Sequence, residues 1–205
     1  DRGSVRLKDL ARPEHVYQLL HPELREEFPP LKTPDQRPHN LPVQPTTIIG
    51  READLAAVVG MLRSPTRRLV TLKGPGGIGK TRLAVEAVQR LHEQLRIVPL
   101  QPLTSPDFIV AAITDALGLR FNPGDDPKHQ LLDHLGEKTW LLMLDNFEHL
   151  LDGVTLVSEI LASAPNVRLL VTSRERLNLV EEWVLEVGGL AYPTSESDRE
   201  LEHFS

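Results

Sequence analysis

The sequence predicts an α/β fold of three layers built on a mainly parallel β-sheet, and three observations carry that prediction. Short runs that are apolar throughout recur along the chain: RRLVTLK at 67–73, RIVPLQ at 96–101, TWLLMLD at 139–145 and NVRLLVTS at 166–173. Between them lie segments whose apolar residues fall at helical spacing. Continuous rather than alternating apolar runs belong to strands covered on both faces, which is what helices above and below a parallel sheet require. The third observation is composition. With 205 residues, 40% hydrophobic and 25% charged, the chain can bury a sizeable core and lies outside the disordered range.

Each element follows in order. Residues 4–20 read as two short extended runs around Ala11-Arg12-Pro13, a hairpin arm spanning 1–27 that needs a sheet to join. Residues 28–45 hold six prolines and almost no apolar period, the composition of a semi-rigid linker. The folded domain is therefore expected to start near Thr46 and to run to 192. Leu55, Val58, Val59 and Leu62 give 51–63 a helical face, and 67–73 forms the first strand. Leu83, Ala84, Ala87, Val88, Leu91 and Leu95 share one face of a helix over 81–95, followed by a strand at 96–101. Ser105-Pro106 with an acidic residue behind it starts the next helix, and Gly118 stops it. Strands at 139–145 and 166–173 flank a helix over 152–164, and EWVLEV at 182–187 supplies a fifth strand. No internal repeat is visible.

Several function classes are excluded or disfavoured at this stage. A formal charge of −6 offers nothing to offset phosphate repulsion over a whole domain, so direct nucleic-acid binding is not expected. There is no cysteine, hence no disulfide framework and no thiolate zinc site, which fits a cytoplasmic location. The apolar runs are too short to span a bilayer, so no membrane partner is expected. Without an initiator methionine or a leader pattern, the chain reads as a piece of a longer protein. The eight histidines show no metal-ligand spacing, and no Ser/His/Asp arrangement can be argued.

Residues 71–84, TLKGPGGIGKTRLA, concentrate the chemistry. Gly74, Gly79, Lys80 and Thr81 fit G-x-x-x-x-G-K-[ST], directly after a strand and at the start of a helix. Glycines let a loop wrap an anion with consecutive backbone N–H groups, and the helix N-terminus adds a favourable dipole. Residues Gly74, Pro75, Gly76, Gly77, Ile78, Gly79, Lys80, Thr81 and Arg82 are thus the expected nucleotide cradle. Lys80 reaches the β- and γ-phosphates, and the Thr81 hydroxyl binds magnesium. A lysine in an open anion site is expected to contribute little to the empty fold. The competing reading is a glycine-rich turn with a surface lysine.

A phosphate loop also needs a carboxylate for its magnesium at the C-terminal end of a neighbouring strand. Asp145 ends the run 139–145 and is the candidate; the alternative is a helix N-cap. Hydrolysis further requires a group that orients water. Asn146 cannot accept a proton, so Glu148 is the candidate, unless it is a solvated helix residue within EHLLD. Slow magnesium-dependent hydrolysis is the most that this set predicts. Arg174 ends the strand LLVTSR and should emerge beside Lys80 and Asp145, where a guanidinium can report on the γ-phosphate. Its alternative is a surface arginine paired with Glu175 or Glu181.

TTIIGREADL, LVTLKGPGGIGKTRLA, WLLMLDNFEHLLD and VRLLVTSRERLNL, in that order over 46–192, closely resemble bacterial signal-transduction ATPases with numerous domains, relatives of the NB-ARC and NACHT switches. The resemblance implies a P-loop NTPase core whose five strands run in the order 5-1-4-3-2, with the Arg174 strand between the loop strand and the Asp145 strand. It places Ile49, Gly50 and Arg51 beside the adenine. It implies ATP/ADP and Mg2+ as ligands, a helical lid of which 193–205 is the start, and self-association of the parent protein through this module when ATP is bound. The segment VRLKDLARPEHVYQLLHPEL resembles the last two strands of a class III nucleotide cyclase domain. The function implied is an ATP/ADP-binding regulatory switch in a signal-transduction or transcription-regulating ATPase. A small-molecule kinase on the same loop and a non-catalytic scaffold are the competing readings. Nothing between 100 and 136 resembles a kinase's arginine-bearing lid.

Overall fold

The computed structural model describes residues 4–5, 14–15, 40–41, 46–91, 94–122 and 124–190. The chain divides into two compact units, Asp1–Pro38 and His39–Ser205. In the first, β1 (Ser4–Val5) pairs antiparallel with β2 (Glu14–His15). The rest of the expected hairpin arm, most of the proline-rich stretch, and the lid segment 193–205 lie outside the described residues.

The second unit alternates helices and strands: α1 (Glu52–Arg63), β3 (Leu69–Lys73), α2 (Lys80–Gln89), β4 (Leu95–Pro99), α3 (Ile109–Leu117), α4 (Pro127–Gly136), β5 (Leu141–Asp145), α5 (Val154–Ser163), β6 (Arg168–Ser173) and β7 (Glu182–Glu186). The five strands of its sheet lie in the order β4-β5-β6-β3-β7. Every pairing is parallel, so the sheet is wholly rather than mainly parallel. Counted from the loop strand this is the order 5-1-4-3-2, with β6 between β3 and β5 as expected.

Alternate residues of the buried strands divide the core into two. Leu69, Leu142, Leu144, Leu169 and Val171 face α3, α4 and α5, which bring Ile109, Ile113, Leu131, Leu135, Val157 and Ile160. Val70, Leu72, Leu141, Met143 and Leu170 face α1 and α2 through Leu55, Val58, Leu62, Leu83, Ala84 and Val88. Those two cores, one on each side of the sheet, separate its three layers, helices, sheet and helices.

The structure departs from the sequence reading at four places. First, the helix after the loop ends at Gln89 rather than at 95; Arg90 caps it, and Leu95 opens β4 instead of closing a helical face. Second, α4 was not anticipated. Asp126 caps it by accepting from the backbone N–H groups of Lys128 and His129, and Pro127 occupies its first position. Third, EHLLD is not a helix surface. It forms short 3-10 turns, Phe147–His149 and Leu151–Gly153, with Phe147 and Leu150 fully buried as anchors. Fourth, Asn40 and Leu41 pack with the core although both fall in the expected linker. The Asn40 amide donates to Ile97 O and accepts from Ile97 N, both at 2.7 Å. It thereby covers the outer edge of β4, which pairs only with β5 among the described strands.

Candidate functional site

The site forms where the C-terminal ends of three adjacent strands come out of the sheet. β3 ends at Lys73 and α2 begins at Lys80, so the intervening residues 74–79 turn through irregular backbone that favours glycine at two points. Gly77 has φ +75° and Gly79 φ +96°, both in the left-handed region. Gly74 is needed for a different reason: a Cβ there would come within 2.6 Å of the Val187 carbonyl oxygen. The backbone N–H groups of α2's first turn stand free of intrahelical partners, as at any helix start.

Lys80 is folded back onto this loop. Its Nζ donates to Gly74 O at 2.8 Å and to Pro75 O at 2.9 Å, and the residue is only 7% exposed. The ammonium thus ties the first two carbonyls of the loop together, a contact that the motif spacing alone does not describe. The Thr81 hydroxyl donates to Asp145 Oδ1 at 2.7 Å, joining the start of α2 to the end of β5. Asp145 accepts a second hydrogen bond at the same oxygen, from Thr172 Oγ1 at 2.6 Å.

Thr172 was missed by the sequence reading. It lies on β6, fully buried, and its hydroxyl also accepts from the backbone N–H of Asn146 at 2.9 Å. An N–H can only donate, so the hydroxyl proton is committed to the Asp145 carboxylate. Asn146 itself adopts φ 64°, a conformation asparagine tolerates better than most residues. That turn sends the chain away from the sheet and sets Phe147 into the core beside Glu148.

Arg174 leaves the end of β6 and pairs with Glu148, Nε to Oε1 at 3.0 Å, rather than with Glu175 or Glu181. Gly76, Gly77, Gly79, Lys80, Thr81, Arg82, Asn146, Glu148 and Arg174 together line one cleft of about 430 Å³. On the other side of the loop, Lys73 pairs with Glu186 of β7 at 2.9 Å. The hydrogen bond from Lys73, with its charge, holds the exposed Glu186 carboxyl below the usual carboxylate range.

The segment ahead of α1 is fastened to the loop. Arg51 is 8% exposed; it donates to Ile78 O at 3.0 Å and pairs with Asp54 at 2.8 Å. Arg82 donates to Thr46 O, so two guanidiniums bridge 46–51 and the loop. Gly50 takes φ +70°, and Ile49 is 79% exposed, an apolar side chain open beside the loop segment. Ile49, Gly50 and Arg51 are absent from the cleft lining, whereas Arg82 belongs to it.

These residues fit a magnesium nucleotide. Positions 77 and 79 meet no atom within 4 Å of an added Cβ and so leave space over the loop, and the donors around it are backbone N–H groups and one ammonium. A hydroxyl and a carboxylate already in contact, Thr81 and Asp145, are the oxygen ligands that magnesium prefers. Among the described residues no three or more His, Cys, Asp or Glu come together as a metal-holding group. Nor is any helix among them long and apolar enough to cross a membrane.

No family model matches the chain. A Mycobacterium tuberculosis protein whose name describes it as an HTH-type transcriptional regulator is 41% identical over 118 residues, which is 56% of this chain and 13% of that protein. An uncharacterised protein of the same organism is 33% identical over 151 residues, 71% of this chain and 38% of its own length. The chain thus spans a minor part of the curated relatives it matches. Among solved structures, Cdc6p from Pyrobaculum aerophilum superposes with a TM-score of 0.53 at 18% identity, covering 70% of this chain and 46% of Cdc6p. The Aeropyrum pernix ORC2 protein, solved in ADPNP–ADP complexes, gives 0.52 at 17% identity and covers 74% and 52%. At such identity the likeness concerns the fold alone, and with the five-stranded parallel sheet it establishes that this chain has the P-loop NTPase fold.

Proposed function

We propose that this chain is the ATP/ADP-binding switch module of a multidomain ATPase that regulates signalling or transcription, of the type called signal-transduction ATPases with numerous domains. The observation that carries this reading is the convergence of the glycine loop, Lys80, Thr81 and Arg174 on one cleft, with Asp145 outside its lining but in contact with Thr81. Cation, metal ligands and a guanidinium at one sheet edge are what a nucleotide with magnesium requires. The name of the transcriptional-regulator relative supports the output assigned here, within the stretch that matches. Hydrolysis is slow at most, because Asn146 stands where a second acid would act and Glu148 is engaged by Arg174. The same reading carries a cytoplasmic location, a class III cyclase domain ahead of residue 28, a helical lid beginning at 193, and self-association of the parent protein when ATP is bound, without direct nucleic-acid contact by this module.

The test is calorimetric titration with ATP and magnesium, together with identification of the nucleotide released when the purified protein is denatured. A hydrogen bond to a charged group contributes about 1.5–3 kcal/mol, and about 1.4 kcal/mol is tenfold in affinity. Lys80→Ala is therefore expected to bind roughly ten- to a hundredfold more weakly. Equal affinity of the two proteins would mean that residues 74–79 are a turn and not a phosphate cradle.

A further inference from the structure

Two charged side chains in the cleft are committed to each other. Glu148 is the fixed member. Its residue is anchored by buried Phe147 and Leu150 on either side, its side chain is 18% exposed, and its Oε2 is buried without a hydrogen-bond partner. Arg174 is the exposed member, 63% open to solvent, reaching from the end of β6 over the loop. Its guanidinium lies close enough to Gly76 that a Cβ there would stand 3.0 Å from a terminal nitrogen. The glycine at 76 thus makes room for the arginine, and the arginine covers the loop from the side.

We propose that Glu148 is a specificity-determining residue: a built-in anion that occupies Arg174 where the terminal phosphate of a nucleoside triphosphate would otherwise engage it, and that biases the site toward diphosphate. This rests on the nucleotide-binding reading above. A diphosphate leaves the ion pair as it stands. A triphosphate that recruits Arg174 leaves both oxygens of a largely enclosed carboxylate without a donor, next to an added negative charge. The cost falls on the enclosed carboxylate, since the guanidinium, 63% exposed, regains water when it leaves.

The ratio of affinities reads this directly. ADP and a non-hydrolysable ATP analogue, each with magnesium, are titrated into the 205-residue chain, Glu148→Gln, Arg174→Gln and the double variant. Glu148→Gln keeps the shape and removes the charge. It is expected to raise the triphosphate-to-diphosphate affinity ratio about tenfold, corresponding to about 1.4 kcal/mol, and reading a ratio cancels any loss common to both nucleotides. In the Arg174→Gln background the same substitution should give a clearly smaller rise, since no guanidinium remains to be released. An unchanged ratio in Glu148→Gln overturns the proposal. So does a rise as large or larger without Arg174, which would make Glu148 a simple repeller of phosphate. If the wild-type chain binds neither nucleotide, the functional reading falls and this proposal with it; binding of both with an unmoved ratio defeats this proposal alone.

Discussion

Thr172 serves two groups with one hydroxyl: it accepts from Asn146 N and donates to Asp145 Oδ1. Partners of this kind around a metal ligand typically account for ten- to a hundredfold in metal affinity. Thr172→Val, nearly the same volume, should therefore weaken magnesium-dependent nucleotide binding by roughly that factor. Binding measured in excess EDTA should hardly change, and Thr172→Ser should restore the magnesium response. A purely structural role predicts equal losses with and without magnesium. Asp145→Ala should flatten the magnesium titration while the fold persists, because the residue ends a strand instead of filling the core; coincident curves for mutant and parent would remove it from the site. Lys80 and Thr81 could be named from sequence because the loop motif fixes their offsets, and Asp145 because it ends an apolar run; the contact of Thr81 with Asp145 agrees with that reading. Thr172 was not legible. It sits in a strand of otherwise apolar residues where a threonine reads as β-branched filler, and its partner is 27 positions away. The Lys80 ties to Gly74 O and Pro75 O were likewise hidden, since motif spacing describes a lysine facing a ligand and not one closing on its own loop.

At the scale of elements, strands were easier to read than helices. Fully apolar runs such as 139–145 and 166–173 place themselves in a buried sheet, and the structure differs from those assignments only at their ends. The order of the strands, in contrast, came from the family resemblance, as apolar runs do not say which neighbours pair. Helix α4 escaped because only Leu131, Leu132 and Leu135 mark its inner face within a polar sequence. Its start signal was nevertheless present in Asp126-Pro127. Asp126→Ala should remove the cap from two backbone donors and destabilise the domain by about 1 kcal/mol in chemical denaturation, and no change would mean that Pro127 alone starts the helix. Gly74→Ala is expected to be far worse. The added methyl meets a backbone carbonyl of the chain after β7, which a rotamer change cannot relieve, so a lower melting temperature and weaker nucleotide binding should appear together.

Over the whole chain, the core begins earlier than its composition suggests. Six prolines over 28–45 give no hint that Asn40 completes the edge of β4, because a side-chain amide imitating a strand leaves no period in sequence. A chain begun at residue 46 exposes Ile97 N and O to water, whereas one begun at 39 keeps them paired. Two lost hydrogen bonds at about 0.5–1.5 kcal/mol each, and about 2–4 °C per kcal/mol for a domain of this size, give an expected difference of roughly 2–12 °C in melting temperature. Identical melting of the two truncations would show that the Asn40 contact contributes nothing.

The position of β6 has a consequence for how the protein is made. β3 pairs with β6 and β7, both encoded far downstream, and with neither of the strands that follow it directly. Leu69 leaves the ribosome 100 residues ahead of Leu169, its register partner on β6 (169 − 69). At about 5–20 residues per second, that is roughly 5–20 s of synthesis. For this interval the apolar LVTLK strand and the glycine loop behind it have no ladder to join, while β4 and β5 can already pair. The strand carrying Thr172, with Arg174 just after it, joins β3 to β5, so the loop and the end of β5 reach one sheet edge only once it is made. The nascent chain should therefore depend on a holding chaperone up to that point, and stalling translation before residue 168 should leave a product that binds chaperone and not nucleotide.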